Sequence, residues 1–248
     1  ALAARWANAV RVLDIGCGTG YGTAELAAEA RQATGIDLSP DAVAHARVAY
    51  PLANIRFLPA SATALPFANA SFDLITAFEV IEHLTQWRHL LAEARRVLRP
   101  DGVFFVSTPN KSYYTESRGA AGANPFHEHE FEFEEFRAAL AEFFPHVNLL
   151  VQNHVETFAF YREGMKPAME GRMDGMRGKP EEAHFFLGIC SPSSLPQHPG
   201  FLFVHQGSNV LRERQSNLIA PLPRDPQRAG LPLDIADAES RDIAGSKS

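Results

Sequence analysis

The stretch VLDIGCGTGYG, from Val12 to Gly22, limits the fold of this chain more than any other segment. It places a glycine at every second position from Gly16 onwards, directly behind a short apolar run. Glycine at this density is typical of tight turns and of backbone that a ligand approaches closely. An apolar strand that leads into such a turn and then into a helix predicts a ligand site at the carboxyl edge of an open α/β sheet.

Strand-like and helical patterns alternate along the first 108 residues. The apolar runs that predict strands are VRVLDI, ATGID, IRFLPA, FDLITAF and VFFVST. Between them, TAELAAEARQ, DAVAHARVAY and the segment from Thr85 to Gly102 predict helices, with Ser39 as a cap, Pro40 at a first helical position and Gly102 as a stop. Strands of this kind, separated by helices, are typical of a parallel sheet that is covered on both faces.

The second half of the chain completes the predicted sheet. PNKSYYTESRGAAGANPF lacks periodicity and predicts a loop, EFEEFRAALAEFF predicts a helix, and VNLLVQNHV and HFFLGICS predict two further strands. The fold class we predict is α/β, a doubly wound, mostly parallel seven-stranded sheet of the Rossmann-like kind. It would occupy residues 1–191, with insertions at 109–130 and 159–180 that form an acceptor pocket. Residues 192–248 carry seven of the 17 prolines and too little apolar content to fold alone, which predicts a disordered tail.

Composition narrows the function classes. The chain has 23 basic and 29 acidic residues, a net charge of -6 and no long basic cluster, so nucleic acid is not expected as a partner. No apolar run approaches the roughly 20 residues of a membrane span, so no membrane partner is expected either. Cys17 and Cys190 both lie in apolar, strand-like contexts. We therefore expect neither a disulfide framework nor a cysteine metal site, as in a protein of the reducing cytoplasm.

The residues around the glycines indicate which ligand they approach. A dinucleotide fingerprint fails because Tyr21 stands at the place of its third glycine, and no Gly-Lys-Ser/Thr of a phosphate loop follows. Asp14, two residues before Gly16, would repel a phosphate but suits a ligand with a cationic end. Asp37, at the end of the second strand, can accept hydrogen bonds from ribose hydroxyls, and Leu38 offers an apolar surface to a base. These features predict S-adenosylmethionine as the cofactor.

With these residues the sequence resembles the class I S-adenosylmethionine-dependent methyltransferases, in particular type 11-like members. Four segments fall in the order and spacing of that family: VLDIGCGTG, GIDLSPDAVAHA, LPFANASFDLITAFEVIEHL and LRPDGVFFVSTPN. They cover residues 10–110 by motif, and the likeness extends more loosely to residue 191. Ser61 and Ala62 depart from the acid-alanine pair that many members carry near the adenine, although a serine hydroxyl can still bond the base. The resemblance implies a cofactor site formed by Asp14, Gly16, Cys17, Gly18, Gly20, Asp37, Leu38, Ser61, Ala62 and Phe78.

Acidic and histidine side chains follow the fourth strand and recur later in the chain. If EVIEHL is helical, Glu79, Glu82 and His83 point to one side, and in an extended NPFHEHEF the side chains of His127 and His129 project the same way. Methyl transfer to an alcohol requires removal of a proton, by a side-chain base or by a metal that lowers the pKa of the hydroxyl. We predict catalytic roles for Glu79, Glu82, His83 and His127.

A divalent metal is a second interpretation of the same residues. Two carboxylates and one or two imidazoles can form such a site, and the candidate ligands are Glu79, Glu82, His83 and His129. The arrangement is similar to small-RNA 2′-O-methyltransferases, which have the same E-x-x-E-H and a later histidine, and ubiquinone-pathway O-methyltransferases share E-x-x-E-H. Many methyltransferases carry an E-x-x-x-H without metal, where the first acid contacts the cofactor and the histidine packs or acts as a base. The sequence leaves both interpretations open, and it does not separate His127 from His129.

The acceptor is predicted only by class. TPNKSYYTE, NPFHEHEF and FVHQGSNVLRERQSNLI resemble bacterial methyltransferases associated with surface-polysaccharide biosynthesis. We therefore expect a cytoplasmic enzyme that methylates a hydroxyl of a small molecule or glycan. Two alternatives are a metal-dependent RNA 2′-O-methyltransferase, which the charge balance favours little, and a non-catalytic module that binds the cofactor.

Overall fold

A single mixed sheet runs through the part of the chain that the computed structural model describes, residues 2–118, 124–153, 180 and 183–195. Its strand order is β3-β2-β1-β4-β5-β7-β6, with β7 antiparallel to both neighbours and every other pairing parallel. The strands are β1 Arg11–Ile15, β2 Gln32–Asp37, β3 Ile55–Pro59, β4 Phe72–Phe78, β5 Leu98–Pro109, β6 His146–Gln152 and β7 Phe185–Ser191. The predicted fold class is confirmed.

Helices cover both faces of this sheet. Those of the described residues are α1 Tyr21–Ala27, α2 Pro40–Ala49, α3 Trp87–Val97, α4 Lys111–Arg118 and α5 Phe133–Phe143, with 3-10 turns at Ala3–Trp6 and Ile81–His83. The predicted start of α2 is confirmed: the Ser39 hydroxyl accepts a hydrogen bond from the Ala42 N–H at 3.2 Å, and Pro40 is the first helical residue.

Alternation along the strands creates two apolar layers, because neighbouring side chains of a strand point to opposite faces of the sheet. On β1, Leu13 and Ile15 pack into the layer under α3 and α5, where Leu90 and Phe136 are fully buried. Val12 points to the other layer, which α1 and the first 3-10 turn cover. Burial on both faces explains why the central strands read as near-continuous apolar runs.

Three predicted boundaries are wrong. The first helix was expected from Thr23 to Gln32, but it ends at Ala27, and Gln32 already belongs to β2. The third predicted helix, α3, ends at Val97, and Gly102 lies within β5 instead of ending the helix. Pro100 explains this end, since a proline disfavours helical backbone at the residue before it.

The third correction concerns the predicted loop after β5, which contains helix α4. Asn110 starts this helix, because its side-chain oxygen accepts a hydrogen bond from the Ser112 N–H at 3.1 Å. The amide group of Asn110 also donates to the carbonyl oxygens of Pro180 and Ala183, at 3.0 and 2.7 Å. These partners lie about 70 residues away in sequence, so no local sequence pattern predicts the helix.

Other predictions concern the termini and the cysteines. Cys17 and Cys190 are free thiols and both are buried, as expected. None of the helices in the described part of the chain is long and apolar enough to cross a bilayer. The chain divides into two units, 1–202 and 203–248, and every described residue belongs to the first. The predicted insertion at 159–180, apart from Pro180, and the predicted tail beyond residue 195 lie outside the described residues.

Candidate cofactor and acceptor site

The carboxyl ends of β1, β2 and β4 meet at one edge of the sheet. The chain leaves β1 between two parallel neighbours, β2 on one side and β4 on the other, so the strand order reverses at β1. Such a reversal opens a crevice in which α/β proteins bind their ligands. The glycine loop follows β1, Asp37 ends β2, and the segment EVIEH follows β4, so the predicted site residues share this crevice.

Asp14 lies at the floor of the crevice and is only 7% exposed. One carboxylate oxygen accepts a hydrogen bond from the Thr23 hydroxyl at 2.6 Å, and the other accepts from the Thr76 hydroxyl at 2.7 Å. Burial raises the pKa of Asp14, and the two hydroxyl groups oppose this rise. Asp14 therefore ties the start of α1 and strand β4 to the end of β1. Neither threonine was identified from the sequence, since a single buried threonine carries no motif.

The Asp37 side chain holds the glycine loop by accepting a hydrogen bond from the backbone of the loop. One carboxylate oxygen accepts from the Gly18 N–H at 2.9 Å, and the other accepts from the Ser39 N–H, also at 2.9 Å. Each oxygen keeps a second lone pair. The carboxylate can thus accept further hydrogen bonds from the two hydroxyls of a ribose, the role that the sequence predicts for it.

The glycines of the loop serve two different purposes. Gly16, Gly18 and Gly20 all have positive φ, at 72°, 50° and 92°. A Cβ atom on Gly16 would collide with the Val80 side chain, and one on Gly20 would lie 2.8 Å from the Cβ atom of Ala46. At Gly18, by contrast, no atom of the described residues would lie within 4 Å of an added Cβ. Gly16 and Gly20 are therefore required by packing, whereas Gly18 borders open space that a ligand can occupy.

This difference predicts that a substitution at Gly18 acts mainly on cofactor binding and one at Gly16 mainly on stability. Gly18→Val is expected to weaken binding of the predicted cofactor at least tenfold, about 1.4 kcal/mol, because its side chain enters the ligand space. Its cost to the fold should be only about 1–2 kcal/mol, from the left-handed backbone. Gly16→Ala adds the collision with Val80 and should lower the free energy of unfolding by roughly 2–5 kcal/mol. Calorimetric titration and urea unfolding of both variants test this; equal stability losses would contradict it.

The rim of the crevice is apolar. Leu38 and Tyr21 are 77% and 72% exposed, and Phe78 is 41% exposed, so each of these apolar side chains is accessible to a ligand. Ser61 and Ala62 follow β3 at the same edge, and the Ser61 hydroxyl is bonded to Thr63 at 2.9 Å. These surfaces are suited to a flat base. The sequence assigned four of these rim residues to the cofactor, and Tyr21 was not among them.

Cys17 lies in the glycine loop but is suited to packing and not to chemistry. Its side chain is buried and packs with Val43, Ala46 and Phe57. Burial raises the pKa of its thiol to about 12, and the charges of Asp14 and Asp37 add to this rise. The thiol therefore remains protonated at neutral pH, and a protonated thiol is a poor nucleophile.

The segment after β4 is not the helix that would place Glu79, Glu82 and His83 on one side, so that geometry is wrong. Glu79 has φ +56°, in the left-handed region, and only a 3-10 turn over Ile81–His83 follows. The Ser107 hydroxyl on β5 donates to the Glu79 carboxylate at 2.6 Å and accepts from the Glu79 N–H at 3.2 Å. Burial raises the pKa of Glu79, and the bond from Ser107 opposes this rise. Ser107 thus fixes the turn, a role for which its sequence context gives no signal.

Glu82 is the most deeply buried acidic side chain of the site. It is 1% exposed, and its Oε2 atom has no hydrogen-bond partner among the described residues. Its backbone carbonyl accepts from the N–H groups of Glu128 and His129, at 2.8 and 3.0 Å. Burial raises the pKa of Glu82 to about 8, and repulsion from Glu79 adds to this rise. The two backbone hydrogen bonds hold the segment 127–130 against the turn after β4.

Two histidines complete a cluster with Glu82. His83 Nδ1 lies 2.7 Å from the Phe126 carbonyl oxygen, and His127 Nδ1 lies 2.8 Å from Glu130 Oε1. The two rings are 5.0 Å apart, edge to face. Potential ligand atoms of Glu82, His83 and His127 all lie within 4.8 Å of one another.

His129 does not share the surroundings of His127, although the two were expected to project the same way. Its Nε2 atom is bonded to Glu135 at 2.8 Å, and its ring packs against Phe131 with centroids 4.4 Å apart. Glu79, likewise, is engaged with Ser107. The structure therefore groups Glu82, His83 and His127, and it gives the other two candidate ligands different partners.

Comparisons with known proteins cover the part of the chain that carries the cofactor side of this site. Residues 13–106 match a family model described as a methyltransferase domain. The chain is 42% identical over 129 residues, 52% of its length and 49% of the relative's, to a Mycolicibacterium smegmatis protein named "Probable S-adenosylmethionine-dependent methyltransferase". It is 33% identical over 122 residues, 46% of its length and 48% of the relative's, to the ubiquinone biosynthesis O-methyltransferase of Xanthomonas oryzae pv. oryzae. The chain thus spans about half the length of the curated relatives it matches.

A solved structure shows the same fold. An S-adenosylmethionine dependent methyltransferase from Mesorhizobium loti superposes with a TM-score of 0.54 at 20% identity, over 76% of this chain and 95% of that one. The matched domain includes the glycine loop, Asp37 and the turn after β4. Sequence match and sheet order together show that residues 13–106 carry a methyltransferase domain, and that over about half its length this chain is similar to S-adenosylmethionine-dependent methyltransferases.

Proposed function

We propose that the protein transfers a methyl group from S-adenosylmethionine to an oxygen acceptor, a hydroxyl of a small molecule or glycan. One observation carries the proposal: the loop that borders the open space at Gly18 packs directly against the segment that bears Glu82 and His83. Gly16 is so close to Val80 that no Cβ atom fits between them. A cofactor on the loop and an acceptor beside His83 would therefore be neighbours.

The cofactor side of the crevice is suited to a cationic nucleoside. S-adenosylmethionine supplies, when bound, a methyl group activated by a positively charged sulfur. The carboxylate of Asp37 places negative charge at the crevice, which disfavours phosphates, and it has lone pairs for a ribose. The apolar side chains of Leu38 and Phe78 offer surfaces for a base. This combination supports the sulfonium nucleoside over a dinucleotide.

The reaction itself needs alignment and removal of one proton. The acceptor oxygen forms a bond to the methyl carbon as the carbon–sulfur bond breaks, and the hydroxyl proton must leave. A backbone carbonyl only accepts hydrogen bonds, so His83 Nδ1 carries the proton that bonds Phe126, and the Nε2 lone pair is left for the acceptor side. His83 is exposed, so an acceptor can reach it. An oxygen acceptor also agrees with the name of the ubiquinone relative.

Location and acceptor class belong to the same proposal. The free, buried thiols of Cys17 and Cys190 are those expected of a cytoplasmic protein. A net charge of -6 disfavours RNA, whose phosphates attract basic surfaces. A neutral or glycan-linked hydroxyl is therefore the acceptor that we favour.

The proposal predicts that the purified full chain binds S-adenosylmethionine with 1:1 stoichiometry and methylates at least one hydroxyl acceptor. Calorimetry measures the binding, and radiolabelled methyl transfer is followed over a panel of phenols, catechols, sugar nucleotides, glycans and a short RNA. Asp41→Ala, an exposed substitution on α2, is the matched control. Transfer to RNA alone would establish the RNA alternative, and cofactor binding with no transfer to any acceptor would favour a non-catalytic module. Absence of cofactor binding would end the proposal.

A further inference from the structure

We infer that Glu82, His83 and His127 form a binding site for one divalent transition-metal ion. The metal site itself is argued from geometry alone. Its role in catalysis rests on the proposed function, since the ion would lie where the acceptor is proposed to bind. Potential ligand atoms of the three residues lie within 4.8 Å of one another, a span that a single ion can bridge. Two imidazoles and one carboxylate are a donor set for zinc, iron, cobalt or manganese, whereas magnesium and calcium prefer oxygen ligands only.

One oxygen of the carboxylate in the cluster lacks a hydrogen-bond partner among the described residues. Glu82 is 1% exposed, and among the described residues no donor reaches its Oε2 atom. A buried polar atom without a partner costs about 1–3 kcal/mol, so proteins rarely keep one without a reason. A cation between Glu82 and the two imidazoles would supply the missing partner.

Both histidines have the outer contacts that orient metal ligands. The Phe126 carbonyl accepts from His83 Nδ1 at 2.7 Å, and Glu130 is bonded to His127 Nδ1 at 2.8 Å. A carbonyl or carboxylate on one ring nitrogen fixes the tautomer and leaves the other nitrogen for the ion. His127 Nε2 is 3.0 Å from the Asn124 amide nitrogen, so this amide would turn aside when an ion binds.

The position of His83 shows what such an ion could be used for. Sites with three protein ligands keep a coordination position for water or substrate, while structural zinc sites use four. His83 is exposed, so the open position would face solvent and the proposed acceptor space. A hydroxyl oxygen bound there would lose its proton more readily, which is the requirement of methyl transfer to an alcohol. The acceptor would then be a hydroxyl compound that can itself ligate the ion.

Cobalt(II) is the probe for this site, because its visible absorption reports nitrogen and oxygen ligands without any assay of activity. The full chain is dialysed against a chelator, then titrated with cobalt chloride by absorption and by calorimetry. We expect one saturable equivalent. His83→Ala and His127→Ala should each weaken binding at least about 100-fold, the upper range for loss of an outer contact to a ligand. His45→Ala, which removes an exposed imidazole from α2, and His129→Ala should bind as the unchanged protein does.

Several outcomes would overturn the inference. These are absence of saturable binding, equal weakening by His45→Ala, and weakening by His129→Ala as large as that by His83→Ala. Because Glu82 is buried, Glu82→Gln is interpreted only if circular dichroism shows a folded protein, and the exposed His83 supplies the variant that is expected to fold. S-adenosylmethionine is titrated into the same preparations. Cobalt binding without cofactor binding refutes the proposed function alone, and the reverse result refutes the metal site alone.

Discussion

Replacing His83 by alanine is expected to lower kcat by about 10²–10⁴-fold, the usual contribution of a group that assists proton transfer. Binding of S-adenosylmethionine should change by less than about twofold, or 0.4 kcal/mol, because His83 lies on the acceptor side of the turn after β4. This expectation holds whether His83 takes the proton itself or ligates an ion, since both remove the means of deprotonating the hydroxyl. Steady-state kinetics with an acceptor from the panel and calorimetric titration measure the two effects.

His89→Ala is the control for this prediction. His89 is also an exposed histidine, but it lies on α3 and belongs to neither part of the site. Its variant should retain the kcat of the unchanged protein. A His83→Ala protein with full turnover would show that this imidazole only packs or bonds the Phe126 carbonyl, and it would remove His83 from the mechanism.

Replacing Asp37 by alanine is expected to weaken S-adenosylmethionine binding about 100-fold or more. Hydrogen bonds to a charged group contribute about 1.5–3 kcal/mol each, and Asp37 is proposed to accept two from the ribose. A loss of about 3 kcal/mol corresponds to more than 100-fold in Kd. The same substitution frees the Gly18 N–H, which Asp37 now holds at 2.9 Å, so the loop also becomes less ordered.

Two further variants separate these contributions. Asp37→Asn keeps an oxygen that can accept a hydrogen bond from the Gly18 N–H but removes the charge. Its affinity for S-adenosylmethionine should therefore fall between that of the unchanged protein and that of Asp37→Ala. Asp41→Ala removes a nearby exposed carboxylate from the first turn of α2 and should bind normally. Thermal unfolding of each variant identifies losses that come from the fold. Unchanged affinity in a folded Asp37→Ala protein would disprove the ribose assignment.

The fold could be predicted because the decisive information is local. The central strands are apolar on both faces, and Ser39 with Pro40 is sufficient to start α2. The missed helix α4 depends instead on Asn110, which bonds carbonyls of residues 180 and 183. Long-range contacts of this kind leave no period in the sequence.

The cofactor side and the acceptor side of the site also differ in whether local sequence determines their geometry. The common position of Asp14 and Asp37 could be predicted because each stands at the end of a strand, and parallel strands bring their ends to one edge. The acceptor side could not, because the turn after β4 contains a left-handed residue, Glu79, that the Ser107 hydroxyl holds from another strand. His83 meets Phe126 across 43 positions of sequence, which periodicity does not report.

The contact between Gly16 and Val80 has a thermodynamic consequence. Because no space separates the two residues, any displacement of Val80 on acceptor binding must be transmitted to the backbone of the glycine loop. If an acceptor displaces Val80, its binding changes the affinity for the cofactor, and linkage requires the cofactor to change the affinity for the acceptor by the same factor. A side chain of different volume at position 80 should therefore alter the degree of synergy between the two substrates, even though Val80 bears no reactive group.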